Sequence, residues 1–276
     1  MTAPLLGYID RPGPLHSLSG VSKLVLALSV VIGAMIGFDL RYLVAVSAGS
    51  LLLWGISRVR LRDLAVVLWL IAIFMVLNNI GIFLFAPGYG SELFGTEHVL
   101  LDGPWHWDVT AEQLVYQLAV TAKYFAVLPA VLLFVATTRP PEFASSLARL
   151  GVPYRFAYAV SLALRYIPDV QREFRTISQA QQARGMDTSR NVALGTRIRH
   201  LTSILMPLLL GTFDRIESVS AAMELRGFGR GTGRTWLVRT PLRGRDALVI
   251  TVSAALVAVP IVLLVVNGGR FWNPFA

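Results

Sequence analysis

Five stretches of this chain are apolar for nearly as long as a bilayer-crossing helix requires, about 20 residues. They cover about residues 22–38, 42–57, 64–86, 112–136 and 247–266. Two further stretches carry the helical period with polar residues between. Over about 154–184, Val160, Leu164, Ile167, Val170, Phe174 and Ile177 recur every three or four positions, which predicts a long helix with one apolar stripe. Over about 195–226, Leu201, Leu205, Leu209, Phe213, Ile216, Val219 and Met223 predict a second. Pro168 and Pro207 lie inside these helices and predict a bend in each. The apolar centre of the second, 201–213, is too short to span; of dipping into the interface or lying against the first helix and the membrane part, the latter is expected. A short helix is expected over 141–150, opened by Thr138 and two prolines and stopped by Gly151-Val152-Pro153. The expected fold is all-α: a polytopic membrane protein of about five transmembrane helices plus long amphipathic helices outside the bilayer. Its divisions are 1–138 with four spans, 139–246, and 247–276 with the last span and a tail.

Within the spans, Gly33-x-x-x-Gly37 predicts close approach of a neighbouring helix. Lys123 falls near the middle of the fourth span, where a charge is costly, and is expected to face the protein interior in a structural role. Asn78 and Asn79 in the third are expected to hydrogen-bond inward. Leu15-His16-x-Leu18 and Lys23 read as a segment at the membrane interface. Residues 87–111 read as a glycine-rich loop.

Composition agrees with the pattern. Of 276 residues, 55% are hydrophobic and 15% charged, against about 25% charged in a soluble domain; mean hydropathy is +0.61. Pro4, Asp10, Pro12 and Pro14 precede the first apolar run, which is not a signal-peptide layout. The net charge of +9 does not indicate nucleic acid, because the arginines collect at span edges and in one long segment. From 139 to 246 there are 17 arginines against 8 acidic residues. Loop 58–63 carries Arg58, Arg60 and Arg62, whereas loop 87–111 carries acids, Trp105 and Trp107 but no Lys or Arg. The positive-inside rule then predicts five spans with the N-terminus cytoplasmic and the C-terminus outside.

Candidate chemistry is sparse. With no cysteine, disulfides, thiolate metal sites and cysteine nucleophiles are excluded. His98, Asp102, His106 and Asp108 match no common metal template. The glycines at 229, 231 and 233 lack the Lys-Ser/Thr ending of a phosphate loop. No cofactor is expected.

Two segments outside the spans read alike: Ala180-Gln181-Gln182-Ala183-Arg184-Gly185-Met186 and Ala222-Met223-Glu224-Leu225-Arg226-Gly227-Phe228. Each closes a long helix. Gly185 and Gly227 can turn left-handed and stop it. Arg184 and Arg226 then project from the last turn, where a cation suits the helix dipole and a planar five-donor head can grip carboxylates or carbonyls.

At these tips the chain resembles the transmembrane T component of energy-coupling-factor transporters, the membrane subunit also found in cobalt and biotin uptake systems. Further similarity lies in the Leu15-His16-x-Leu18 opening with Lys23, in Thr137-Thr138-Arg139-Pro140-Pro141-Glu142 followed by Leu150-Gly151-Val152-Pro153-Tyr154, in Leu162-Ala163-Leu164-Arg165-Tyr166-Ile167-Pro168, and in Pro207-Leu208-Leu209. One departure stands out: the family's second tip usually reads Ala-Arg-Gly, and here Leu225 takes the first position. The resemblance implies an energy-coupling subunit without catalysis of its own, in a bacterial plasma membrane. Two ABC-type ATPases would each take one tip, through Ala183, Arg184 and Gly185 or Leu225, Arg226 and Gly227. Pro168 and Pro207 would be hinges of the two coupling helices. A membrane S component carrying a vitamin or metal ion would rest on the first four spans, partly at Gly33 and Gly37.

Two other classes fit less well. A self-sufficient permease calls for two halves of similar hydropathy and interrupted midplane helices, and neither is visible. A membrane enzyme calls for converging His, Asp or Glu groups, but His16, His98, His106 and His200 fall on different sides of the expected topology.

Overall fold

The computed structural model describes residues 15, 17–57, 59–101, 108–186, 194–231, 236 and 241–275, and of Asp63, Leu194 and Arg197 the backbone alone. His16, Arg58, Asp102, Trp105, His106, Trp107 and Gly233 lie outside the described residues. The chain forms two compact units: Met1–Arg139 with Thr240–Ala276, and Pro140–Arg239.

The first unit contains α1 (Gly20–Ile36), α2 (Leu40–Ser57), α3 (Ala65–Phe85), α5 (Ala111–Thr137) and α9 (Gly244–Val266). Four of these, α2, α3, α5 and α9, are long and apolar enough to cross a membrane. α1 is equally apolar but has 17 residues, at the lower limit for a span of about 17–25. This is an all-α, multi-pass membrane fold.

The first and last helices run parallel, side by side. Their starts are joined by Asp246, 1% exposed, whose carboxylate accepts the Ser19 N–H at 2.9 Å, the Ser22 hydroxyl at 2.7 Å and the Arg243 N–H at 2.7 Å. A buried carboxylate needs this many donors to stay charged. Halfway along, Pro260 has no N–H, so the carbonyl of Leu256 loses its helical donor. The Tyr42 hydroxyl donates to it at 2.6 Å. Gly33 makes that possible: a Cβ there would meet the Tyr42 hydroxyl and stand 2.5 Å from the Leu256 carbonyl oxygen. A Cβ on Gly37 would stand 2.9 Å from Pro260. The small pair therefore faces α9 of the same chain, and this corrects the expectation that it holds a separate S component. At the far ends Asp39 accepts the Arg41 N–H at 2.9 Å, the Arg41 guanidinium at 3.0 Å and the Asn267 amide at 2.9 Å.

α5 lies against α2 along Ala119, Ala122, Ala126 and Ala130, all buried. Alanine at this spacing lets backbones approach, and α2 uses the approach: Ser47 and Ser50 donate to the carbonyls of Ala122 at 2.7 Å and Ala126 at 2.8 Å. Lys123 projects from the same helix with its ammonium 3.5 Å over the Phe38 ring. Lys23 is buried and donates to the Thr137 carbonyl at 3.0 Å, where a cation complements the C-terminus of α5. It is thus a tie between the start of α1 and the end of α5. α3 buries none of its residues and meets α5 through Asn79, which donates to Thr121 at 3.3 Å. Asn78 Oδ1 is buried and has no partner among the described residues.

The described residues of 87–111 form elements where a loop was expected. They hold α4 (Tyr89–Phe94) and a two-stranded antiparallel ribbon of β1 (Val99–Leu101) and β2 (Val109–Thr110). Glu112, fully buried at the start of α5, organises them: it accepts from the Thr96 hydroxyl at 3.0 Å, the His98 N–H at 3.0 Å and His98 Nδ1 at 2.7 Å. His98 is thus engaged by a carboxylate. Among the described residues no three His, Asp or Glu side chains gather as a metal set.

The second unit contains α6 (Pro140–Arg149), α7 (Tyr154–Ala183) and α8 (Leu194–Leu225). α7 and α8 are antiparallel. Tyr158 at the start of α7 meets Phe228 just past α8, Glu173 meets Arg215 at 2.7 Å, and Gln181 meets Ser203 at 3.2 Å. Both helices run unbroken through Pro168 and Pro207.

The stripe expected on α8 is not the face it turns to α7. Leu201, Leu205, Leu209, Phe213 and Ile216 are exposed, and Ile204 and Leu208 are buried. Those two share a side with Gly211 and Arg215, which meet Glu173. Apolar residues surround α8 between 198 and 213 on more than one side, so periodicity alone does not choose among neighbouring stripes.

Asp246→Asn should lower stability by about 2–3 kcal/mol, since one carboxylate oxygen becomes a donor facing donors; thermal unfolding in detergent measures it. Burial alone would raise the Asp39 carboxyl, but the hydrogen bonds from Arg41 and Asn267 hold it below its ordinary value. Its contribution should be complete above the unfolded carboxylate pKa, about 4, and be lost as pH falls through the lower folded value. Asp39→Asn should flatten that part of a midpoint-against-pH curve.

Candidate functional site

The two similar segments adopt the same backbone at their ends. α7 stops at Ala183, Gly185 has φ +84°, the Gly185 N–H donates to the Gln182 carbonyl at 2.9 Å and the Met186 N–H to the Gln181 carbonyl at 3.1 Å. α8 stops at Leu225, Gly227 has φ +66°, the Gly227 N–H donates to the Glu224 carbonyl at 2.9 Å and the Phe228 N–H to the Met223 carbonyl at 2.9 Å. This paired bonding is the Schellman cap, which needs a left-handed residue after the last turn. A side chain at either glycine would strain it.

The cap alone does not single these ends out. α6 closes the same way, with Gly151 at φ +96°, its N–H on the Ala148 carbonyl and the Val152 N–H on the Leu147 carbonyl. There Leu150 stands before the glycine. At the two long helices Arg184 and Arg226 stand there instead, and both are exposed. What distinguishes the tips is the cation fixed in the capping residue, not the stop.

Antiparallel pairing places the tips at opposite ends of α7 and α8. From Tyr158, beside the second tip, to Gln181, beside the first, is about 35 Å at 1.5 Å per residue. Each tip is anchored on the other helix. Phe228 lies between Tyr154 and Tyr158 at 5.7 and 4.9 Å between ring centroids, and Arg155 donates to the Gly229 carbonyl at 2.6 Å. At the first tip the Gln181 side chain reaches α8. The residue before the arginine differs: Ala183 in the first tip, and in the second Leu225, 90% exposed.

The structure does not gather all the residues singled out in the sequence. The two tips, Pro168 and Pro207 belong to the second unit; Gly33, Gly37 and Lys123 belong to the first and lie among its own helices. Sequence reasoning missed Asp246, Tyr42 and Arg155, and gave no anchoring role to Phe228 or the Gln181 side chain. Two had a readable signal. A lone carboxylate at the head of an apolar helix needs donors, and a proline inside such a helix frees a carbonyl that needs one.

Fold and tips together define a polytopic α-helical membrane protein with a pair of long arginine-tipped helices. The sequence model of the CbiQ family, described as cobalt transport protein, matches residues 12–237, and the chain belongs to that family. It is similar to curated proteins named energy-coupling factor transporter transmembrane protein EcfT. That of Limosilactobacillus fermentum is 33% identical over 160 residues, 54% of this chain and 59% of the relative. That of Thermanaerovibrio acidaminovorans is 30% identical over 249 residues, 86% of each chain. That of Heliobacterium modesticaldum is 27% identical over 266 residues, 91% of this chain and 94% of the relative. The match thus spans about three fifths of the first relative and nearly all of the last. The resemblance drawn from the two tips to the T-component family stands.

Phe228→Ala should free the second tip alone. Amide hydrogen exchange at residues 226–230 should quicken about tenfold, the worth of roughly one to two aromatic contacts, while residues 183–186 keep their protection.

Proposed function

We propose that this chain is the energy-coupling membrane subunit of an energy-coupling-factor importer of the ABC type. Two ATPase subunits each take one tip. The first is Ala183, Arg184 and Gly185; the second is Leu225, Arg226 and Gly227. A separate S component in the membrane binds the cargo, a vitamin or a metal ion. ATP hydrolysis belongs to the ATPases, and this chain is not itself catalytic. The second unit and the N-terminus face the cytoplasm of a bacterial cell, as the arginine distribution favours.

The observation that supports this reading is the repeat of one cap, with one arginine in it, at the two ends of an antiparallel helix pair. Two like cations some tens of ångströms apart suit two like grooves on a pair of related motors. The guanidinium is planar and rich in donors, so carboxylates or helix-end carbonyls are its natural partners. The family membership and the names of the relatives favour the same reading.

The exposed Leu225 adds about one fully buried leucine side chain of apolar area to the second contact if the groove closes over it. Ala183 offers the first tip far less. The two grooves therefore differ, and the second is the more apolar.

Arg184→Glu with Arg226→Glu should weaken ATPase binding by about 30-fold or more, the scale of an arginine hot spot, with insertion into the membrane unchanged. Co-purification of the ATPases with the tagged double variant measures it. Full recovery of both ATPases would overturn the docking assignment.

A further inference from the structure

Gln181 has two attachments that belong to different helices. Its backbone carbonyl accepts the Met186 N–H in the cap of the first tip, at 3.1 Å. Its side chain leaves α7, and Nε2 donates to the carbonyl of Ser203 in α8 at 3.2 Å. Ser203 lies four residues before Pro207. In an uninterrupted helix the N–H of residue 207 would bond that carbonyl, but proline has none. The donor that α8 lacks at Pro207 is supplied from the tip of α7.

The amide orientation follows from its surroundings. With Nε2 facing a carbonyl, the hydrogen bond forms; reversed, oxygen would face oxygen. Gln181 Oε1 is buried and has no partner among the described residues. An unpaired buried oxygen is costly, so the side chain is held in place by its donor end.

We propose that Gln181 is a positioning residue that latches the first tip to α8 at the carbonyl left open by Pro207. The second tip is already tied to the start of α7 by Phe228 and Arg155. With both ties closed, the two tips move as one body, and a push on either reaches both helices. The consequence for transport rests on the docking reading above; the latch itself does not, and it can be tested without ATPases.

The chain has no cysteine, so spin labels on Gln179→Cys and Ala221→Cys, both exposed positions, report the distance between tips in the full chain in lipid nanodiscs. Gln181→Met keeps the length of the side chain and the backbone cap but removes the donor. It should broaden the distance distribution, with about a fivefold loss of the latched population, the worth of one net hydrogen bond. Pro207→Ala returns a backbone N–H to the Ser203 carbonyl. In that background Gln181→Met should change the distribution little further. Equal broadening in both backgrounds, or none in either, would overturn the latch. In the assembled transporter Gln181→Met should leave ATPase co-purification intact and lower cargo uptake per ATP hydrolysed; unchanged uptake per ATP alongside broadened distances would overturn its role in transmission. Should the Arg184→Glu, Arg226→Glu variant retain its ATPases, the docking reading fails while the label distances still decide the latch.

Discussion

A proline inside a helix leaves one carbonyl without a donor, and where water is scarce that carbonyl must find one elsewhere. Both units meet this constraint in the same manner. In the membrane unit Pro260 frees Leu256, and Tyr42 answers from another helix. In the second unit Pro207 frees Ser203, and Gln181 answers. In each case the carbonyl that a proline frees becomes a cross-link. Gly33 belongs to the first arrangement, since only the absence of a Cβ leaves room for the tyrosine hydroxyl.

The same economy of polar groups sets the remaining packing. Ser47 and Ser50 bond backbone carbonyls of α5 across a run of alanines. Asp246 and Asp39 close the two ends of the α1 and α9 pair, each with donors from more than one element. Among the described residues of this unit, Ser22, Lys23, Ser47 and Ser50 each fasten one helix to another. A long apolar chain has many ways to stack its helices; directional bonds at fixed heights select one of them.

Much of this was legible in the sequence. The helix boundaries fall within two or three residues of the hydrophobic pattern, because length and polarity decide where a span ends. Gly185 and Gly227 were legible as left-handed stops because the cap requires that geometry. The face that α8 turns to α7 was not: with leucine or isoleucine at 201, 204, 205, 208 and 209, several stripes satisfy the same period. Nor was the partner of Gly33 and Gly37, because a small-residue pair states that a helix approaches, not which one. The role of Gln181 needed the register between α7 and α8, which no local pattern contains. Residues 87–111 read as loop because their order comes from one buried glutamate contacting residues 14 to 16 positions earlier.

The pairing of α1 with α9 also has a temporal side. α1 meets α5 and α9, but α9 is made more than two hundred residues later in the chain. Until then Ser19 and Ser22 have no carboxylate and the groove at Gly33 is open. α2 and α5 can associate earlier, since both precede the second unit. Synthesis from the N-terminus therefore leaves the α1 seam at Ser22 and Gly33 unclaimed until α9 inserts and seals it.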